Sequence, residues 1–246
     1  MSMLEKVPPM RRICPILFLL DRSVSMDGAP LGAVNQAMVN IIPEFISMNQ
    51  NNANVEIKFA VLSFGNGVVW ETGEGLVSPE NYTWKDIESD GATPMGEAFN
   101  DLEKVLHVEN GFMKNATGSV APVIFLLSDG EPTDNYKEGL KKLKDNLWFK
   151  VAAKVAVGYG CSNDAILEEY TGNKETVLHT NDPKDLQKMI RFVTITSSMV
   201  NSTGKAVNIS GNNGGNENVD TTDSVAEALK TAKEELSDAV DPDDQF

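Results

Sequence analysis

Two apolar segments that do not alternate with polar residues constrain the fold most strongly. Ile13–Leu20 and Val120–Leu127 are each about as long as one strand, and neither has a polar face. Strands of this kind are buried on both sides, as in parallel sheets whose two faces are covered by helices. We therefore predict that both segments lie in the middle of such a sheet.

The rest of the first 200 residues alternates between strand and helix patterns. Gly65-Asn66-Gly67 is a short turn that predicts an antiparallel hairpin between Val55–Phe64 and Val68–Trp70. The other predicted strands are Val151–Val157 and Thr176–His179. The predicted helices are Leu31–Met48, Pro94–Val108, Asn135–Leu147, Asp164–Tyr170 and Pro183–Met199. This order predicts an α/β fold: a doubly wound, mostly parallel sheet with one antiparallel edge strand and helices on both faces.

The composition changes after residue 200. Asn201–Asn218 is rich in Asn, Gly and Ser and predicts a flexible linker. Ser224–Val240 carries a weak apolar stripe, and the whole segment is acidic. We therefore predict one domain in residues 1–200. Residues 201–246 are predicted to be a linker and an acidic tail that is either disordered or a weak helix formed on docking.

Charge and hydrophobicity exclude several classes of partner. The formal net charge of -15 argues against nucleic acid and against anionic membrane surfaces, which both attract basic proteins. No apolar run approaches the roughly 20 residues of a membrane span. Met10-Arg11-Arg12 and the following apolar run imitate a signal peptide, but the run leads into Asp21-Arg22 and is interpreted as a strand. We therefore expect a cytoplasmic protein.

Oxygen-bearing side chains follow both central strands. Asp21, Ser23 and Ser25 stand at alternate positions directly after the first strand, and Asp129 follows the fourth. In open α/β sheets, ligands bind beyond the carboxyl ends of strands where the connections diverge. Neutral hydroxyls with few carboxylates suit a hard divalent cation such as Mg²⁺, which retains water at its other positions. These loops predict a metal site.

Three segments carry a resemblance to a known family. They are Asp21-x-Ser23-x-Ser25, the segment around Thr93 (Gly91–Ala98), and Ser128–Asp134. Together they resemble the metal-ion-dependent adhesion site of von Willebrand factor A domains. The second and third are especially similar to bacterial cytosolic members of tellurite-resistance type.

The resemblance implies how each residue acts on the metal. The hydroxyls of Ser23, Ser25 and Thr93 would bind the cation directly, while Asp21 and Asp129 would act through water or by moving into contact. The cation is expected to be Mg²⁺, with Mn²⁺ or Ca²⁺ as alternatives. Asp134 directly precedes a predicted helix and is interpreted as its N-cap.

The resulting functional hypothesis is a non-enzymatic interaction module. Its cation would bind an acidic residue of a partner protein. By resemblance, the setting would be a bacterial stress or tellurite-resistance assembly, with kinases or phosphatases of that system as candidate partners. Two alternatives remain: a Mg²⁺-dependent phosphohydrolase with Asp21 as nucleophile, and an exported adhesin. Phosphatases of the haloacid-dehalogenase type need an aspartate where this chain has Ser23.

Overall fold

A single six-stranded sheet forms the centre of the molecule. The computed structural model describes residues 11–107, 111–115, 119–160, 162–203 and 221–238. The strands are β1 (Arg12–Asp21), β2 (Val55–Gly65), β3 (Gly67–Trp70), β4 (Val123–Ser128), β5 (Ala153–Tyr159) and β6 (Val177–Thr180). Their order is β3-β2-β1-β4-β5-β6, and only the edge strand β3 pairs antiparallel.

Helices cover both faces of this sheet. They are α1 (Ala29–Asn51), α2 (Met95–Val105), α3 (Tyr136–Asp145), α4 (Leu147–Val151), α5 (Asp164–Thr171), α6 (Pro183–Thr203) and α7 (Thr221–Asp238). Residues of α1, α6 and α7 belong to the hydrophobic core on one face, and residues of α2 to α5 belong to the core on the other. The predicted doubly wound α/β fold is therefore confirmed.

The central position of β1 explains its uninterrupted apolar sequence. Phe18 and Leu20 pack into one core, whereas Leu17 and Leu19 pack into the other, and all four are fully buried. Successive side chains of a strand point to opposite faces, so a strand covered on both sides needs apolar residues at every position. Each such side chain contributes about 1.5–3 kcal/mol through burial.

A short helix that was not predicted from the sequence precedes β5. The predicted strand Val151–Val157 in fact begins at Ala153, and α4 precedes it. The side chain of Asn146 accepts hydrogen bonds from the backbone N–H groups of Trp148 and Phe149, at 2.9 and 3.3 Å. This cap ends the preceding helix pattern and starts a new turn.

The C-terminal helix α7 packs on the domain. Val225 and Leu229 are fully buried in the core that α1 and α6 share. The Thr222 hydroxyl donates to the carbonyl oxygen of Ala152 at 3.1 Å, at the start of β5. Thr221–Asp238, within the predicted tail, is helical. Residues 204–220 and 239–246 of the predicted linker and tail lie outside the described residues, and the division at residue 200 stays a prediction.

None of the described helices combines the length and the apolar character that crossing a membrane requires.

The connections diverge between β1 and β4. The chain leaves β1 for β2 on one side, and it leaves β4 for β5 on the other. The carboxyl ends of these two strands are neighbours in the sheet. The loops that follow them therefore open a crevice at the topological switch point, where ligands of such sheets bind.

Candidate metal centre

The centre of the site is a buried hydrogen bond between the ends of β1 and β4. The Ser128 hydroxyl donates to Oδ2 of Asp21 at 2.7 Å, and both side chains are fully buried. The other carboxylate oxygen of Asp21 accepts the backbone N–H of Ser23 at 2.8 Å. Both oxygens of Asp21 are thus held by the chain itself, which fixes the carboxylate at the mouth of the crevice.

Ser23, Ser25 and Asp129 continue this network. The hydroxyl oxygens of Ser23 and Ser25 lie 3.0 Å apart, and Ser25 Oγ donates to Oδ1 of Asp129 at 2.8 Å. Ser25 and Asp129 are 104 residues apart in sequence. A 3-10 turn over Val24–Met26, closed by a hydrogen bond from Met26 N–H to the carbonyl of Ser23, presents the two hydroxyls on one side.

Thr93 lies beside the loop that follows β4. Thr93 is buried, and its hydroxyl oxygen is 3.7 Å from where a Cβ on Gly130 would be. Its backbone N–H donates to the Thr133 hydroxyl at 3.2 Å, and the N–H of Thr133 donates to the Thr93 carbonyl at 2.9 Å. The structure thus brings the loops of all five predicted site residues to the end of β1 and β4.

The predicted N-cap role of Asp134 is wrong. Asp134 does not cap the helix that it precedes. Its two carboxylate oxygens instead accept the backbone N–H groups of Gly96 and Glu97, each at 2.8 Å, at the start of α2. Helix α3 instead begins after Asn135, which makes no side-chain capping bond. The reason is tertiary: α2 and α3 approach so closely that a Cβ on Gly96 would lie 2.8 Å from the carbonyl oxygen of Asn135.

Ser128, Thr133 and Asp134 also position the site, although no local sequence pattern predicts this role. They hold Asp21, the Thr93 backbone and the first turn of α2, respectively. The available signal was their place in the same segment as Asp129. Their partners lie about 40 or more residues away, so no local pattern reveals the contacts.

Helix capping does not account for Ser25 or Thr93. The residue at the N-cap position of α1 is Gly28, and that of α2 is Pro94; neither helix receives a cap from its own N-cap side chain. Ser25 instead bonds Asp129, and α2 is capped by Asp134. The two hydroxyls therefore do not serve as ordinary N-caps.

A glycine contact joins the loops around the site. Gly91 has φ +74°, and a Cβ there would lie 2.5 Å from the backbone nitrogen of Asn66 in the β2–β3 turn. Its carbonyl accepts the N–H of Val24 at 3.1 Å. Only glycine fits this left-handed, close-packed position without strain. The hairpin turn thus supports the Ser23–Ser25 turn through Gly91.

The site concentrates negative charge in a poorly solvated place. Burial raises the pKa of Asp21 to about 6, although hydrogen bonds from Ser128 and Ser23 act in the opposite direction; the charge of Asp129 adds to the rise. Burial also raises the pKa of Asp129. A bound cation would favour the ionised form of both carboxylates. The arrangement therefore suits a cation.

The donor set fits a hard cation. It comprises three hydroxyls and two carboxylates, all oxygen, as Mg²⁺, Mn²⁺ and Ca²⁺ accept. Across the described ranges, no three His, Cys, Asp or Glu side chains cluster in a manner that would hold a metal.

Solved structures with the same fold include a von Willebrand factor type A protein, a mussel byssus protein and a pilus adhesin. One from Catenulispora acidiphila has a TM-score of 0.56 at 17% identity, covering 76% of this chain and 43% of its own. Proximal thread matrix protein 1 from the mussel byssus, with a zinc-occupied MIDAS motif, has a TM-score of 0.55 at 18% identity, covering 74% and 47%.

The pilus adhesin SpaC from Lactobacillus rhamnosus GG, in its open conformation, has a TM-score of 0.60 at 11% identity, covering 77% of this chain and 30% of its own. The chain thus spans less than half the length of each of these three proteins. At such identities the likeness shows the fold alone. A comparison with curated proteins gave no match.

The family assignment follows from the sequence itself. The model of the von Willebrand factor type A domain matches residues 16–192, which is more than half of the 246 residues. The matched part contains β1 from Ile16 onward, β2 to β6 and the loops that carry the candidate site. The chain therefore belongs to the von Willebrand factor type A domain family.

Proposed function

We propose that this chain is a metal-dependent protein-interaction domain. Asp21, Ser23, Ser25, Thr93 and Asp129 would hold a divalent cation, for which Mg²⁺ is our first choice. The hydrogen bond from Ser25 to Asp129 carries the proposal, because it joins the two loops that supply most of the donors. Domains of this family are mainly metal-dependent interaction and adhesion modules.

The composition of the site explains why it suits binding. When bound, the cation would offer a coordination position to a carboxylate of a partner protein. Three of the five donors are neutral hydroxyls, so the chain offsets the charge of a dication with two carboxylates at most. The hydrogen bonds that Asp21 receives from Ser128 and Ser23 hold that carboxylate in place. The chain would thus supply a rigid, weakly compensated cation to an acidic partner.

The phosphohydrolase alternative has less support. A nucleophilic aspartate needs an oxygen that faces the substrate, whereas both oxygens of Asp21 accept hydrogen bonds and its side chain is fully buried. This supports a role for Asp21 at the metal through bound water, as the family resemblance implies, and not as a nucleophile. Phosphatase activity that disappears in Asp21→Asn but persists in Thr93→Ala would favour the enzyme instead.

We further propose a bacterial, cytoplasmic setting in a stress or tellurite-resistance assembly, with kinases or phosphatases of that system as candidate partners. The support is the similarity of Gly91–Ala98 and Ser128–Asp134 to members of tellurite-resistance type. The exported adhesin is the alternative. A pull-down from native lysate, with and without chelator and with Thr93→Ala, would identify partners that need the site.

Direct cation binding tests the proposal first. We expect Mn²⁺, followed by electron paramagnetic resonance and displaced by Mg²⁺, to bind the full chain at one site. Ser25→Ala and Thr93→Ala should each weaken this binding at least about tenfold, because a direct ligand is lost. Ser47→Ala is the control, since this exposed serine lies on α1 away from the site. Unchanged Mn²⁺ affinity in both site variants would refute the proposal.

A further inference from the structure

A surface pocket lies beside the Ser23–Ser25 turn. Its volume is about 460 Å³, and Leu31 and Ile87 form an apolar floor. Both floor residues are buried, with 5% and 6% of their surface exposed. Gly32 also lines the pocket, and a Cβ there would meet nothing within 4 Å. The pocket is thus open above an apolar surface.

Two acidic residues, Asp27 and Glu88, also line this pocket. Asp27 Oδ1 accepts the Ser89 hydroxyl at 2.7 Å. Among the described residues, no Lys, Arg or His forms an ion pair with either carboxylate. Two basic residues lie in these loops: Arg22 is 3.8 Å from Asp90 and donates to the Glu88 carbonyl at 3.4 Å, whereas Lys85 is exposed and takes part in none of these ion pairs. The pocket carboxylates are therefore not neutralised by these ion pairs.

The wall of the pocket is held in place by Asn35. Its Oδ1 accepts the Ile87 N–H at 3.0 Å and the Trp84 indole N–H at 3.2 Å, and its amide donates to the Ile87 carbonyl at 3.0 Å. The loop that carries Ile87 and Glu88 is thereby tied to α1. A pocket fixed in this way does not have to form on binding.

We propose that this pocket receives a Lys or Arg side chain of the partner segment whose carboxylate occupies the proposed metal site. Long basic side chains lay their aliphatic stems on apolar surface and keep the charged head at a polar rim, which matches the Leu31–Ile87 floor and the acidic lining. The inference rests on the proposed function and specifies the partner: an acidic residue with a basic neighbour.

The proposal includes a spacing between the two side chains of the partner. Asp27 is two residues after Ser25, so their Cα atoms are at most about 7.6 Å apart. In an extended peptide, side chains two residues apart lie on one face about 6.6 Å from each other. Because these two lengths are similar, we place the basic residue of the proposed partner two positions from the acidic one.

A displayed library of random nonapeptides with a fixed central Asp tests this pairing. It would be selected on the full chain in millimolar Mg²⁺ and eluted with EDTA. We expect Lys or Arg to be enriched two positions from the Asp. Replacing that basic residue by Ala in a selected peptide should weaken binding about fivefold, as for a partly exposed ion pair.

Two double variants separate the pocket from general charge effects. Asp27→Asn with Glu88→Gln should abolish the basic enrichment, while elution still requires EDTA and binding still requires the Asp. Asp145→Asn with Glu168→Gln removes the same charge from helices on the other face of the sheet. This control variant should still enrich basic residues. Absent enrichment with the wild type, or enrichment that survives in the pocket variant, would overturn the pocket alone. A library without EDTA-eluted peptides would contradict the metal proposal and the pocket with it.

Discussion

Ser128 donates a hydrogen bond of 2.7 Å to Asp21, and neither side chain has any exposed surface. The bond joins the last residues of the two central strands, at the point from which the site loops depart. A buried carboxylate that loses a hydrogen-bond donor bears the full cost of its desolvation. The stability of the fold and the geometry of the site therefore depend on the same contact.

We expect Ser128→Ala to lower the free energy of unfolding by about 1–3 kcal/mol and to weaken Mn²⁺ binding. Urea denaturation in EDTA and a Mn²⁺ titration measure the two effects separately. Ser63→Ala is the matched control, because Ser63 is also fully buried and donates to a carboxylate, Oε1 of Glu71 at 2.5 Å. It should lose stability but bind Mn²⁺ normally. Equal Mn²⁺ affinity in the two variants would contradict a positioning role for Ser128.

Asp134 should affect the site through the start of α2. Asp134→Ala removes the acceptor of two backbone N–H groups, so it should cost about 1 kcal/mol of stability and weaken Mn²⁺ binding by displacing Thr93. Asp134→Asn keeps one acceptor oxygen and should recover part of both losses.

Asn146→Ala is the comparison for Asp134, because Asn146 caps α4 away from the site. It should cost a similar amount of stability and leave Mn²⁺ affinity unchanged. If Asp134→Ala behaved in the same way, the capping bond would have no bearing on the metal.

Ionisation of Asp21 should make the metal-free protein less stable at neutral pH than in mild acid. Burial raises the pKa of Asp21 from 3.8 to about 6, so the folded state binds this proton more tightly than the unfolded state. The free energy of unfolding then decreases as the pH rises from about 4 through 6, by about 3 kcal/mol from this residue.

Asp21→Asn isolates this contribution, because an amide does not titrate in this range. Urea denaturation in EDTA at several pH values would give the difference in unfolding free energy between wild type and variant. As the pH rises from about 4 to 7, the free energy of unfolding of the wild type should fall relative to that of Asp21→Asn. A difference independent of pH would show that Asp21 titrates normally.

Helix α7 should contribute to the stability of the whole domain. Leu229 is fully buried in the core formed with α1 and α6, so Leu229→Ala should cost about 2–5 kcal/mol. Glu227→Ala, on the exposed side of the same helix, should change little. Thermal unfolding followed by circular dichroism would compare them. Equal melting temperatures would mean that α7 is not part of the cooperative unit.

The sheet was predictable because burial on both faces leaves a direct trace in sequence. Ile13–Leu20 and Val120–Leu127 lack any polar alternation, and both form central strands. The Gly65-Asn66-Gly67 turn likewise predicts the antiparallel hairpin from local chemistry alone. The polar residues after β1 and β4 were predictable as neighbours, since parallel strands place their carboxyl ends at one edge.

Contacts between distant segments were not predictable in the same way. Asp134 precedes a helix and has the residue type of an N-cap, yet its partners are at the start of α2, 38 and 37 residues away. Helix α4 was missed because the apolar residues of Leu147–Val151 suit a strand as well as a short buried helix. The amphipathic stripe around Leu229 is too weak to predict docking without knowledge of the surface it covers.

The contact between Gly91 and Asn66 has a consequence for how relatives of this chain can diverge. Lengthening the β2–β3 turn would push on Gly91 and, through its carbonyl, on the amide of Val24. Insertions are therefore disfavoured at this turn. Gly73 and Gly75 have free space around them, so the loop that contains them is the better place for added sequence or a fused label.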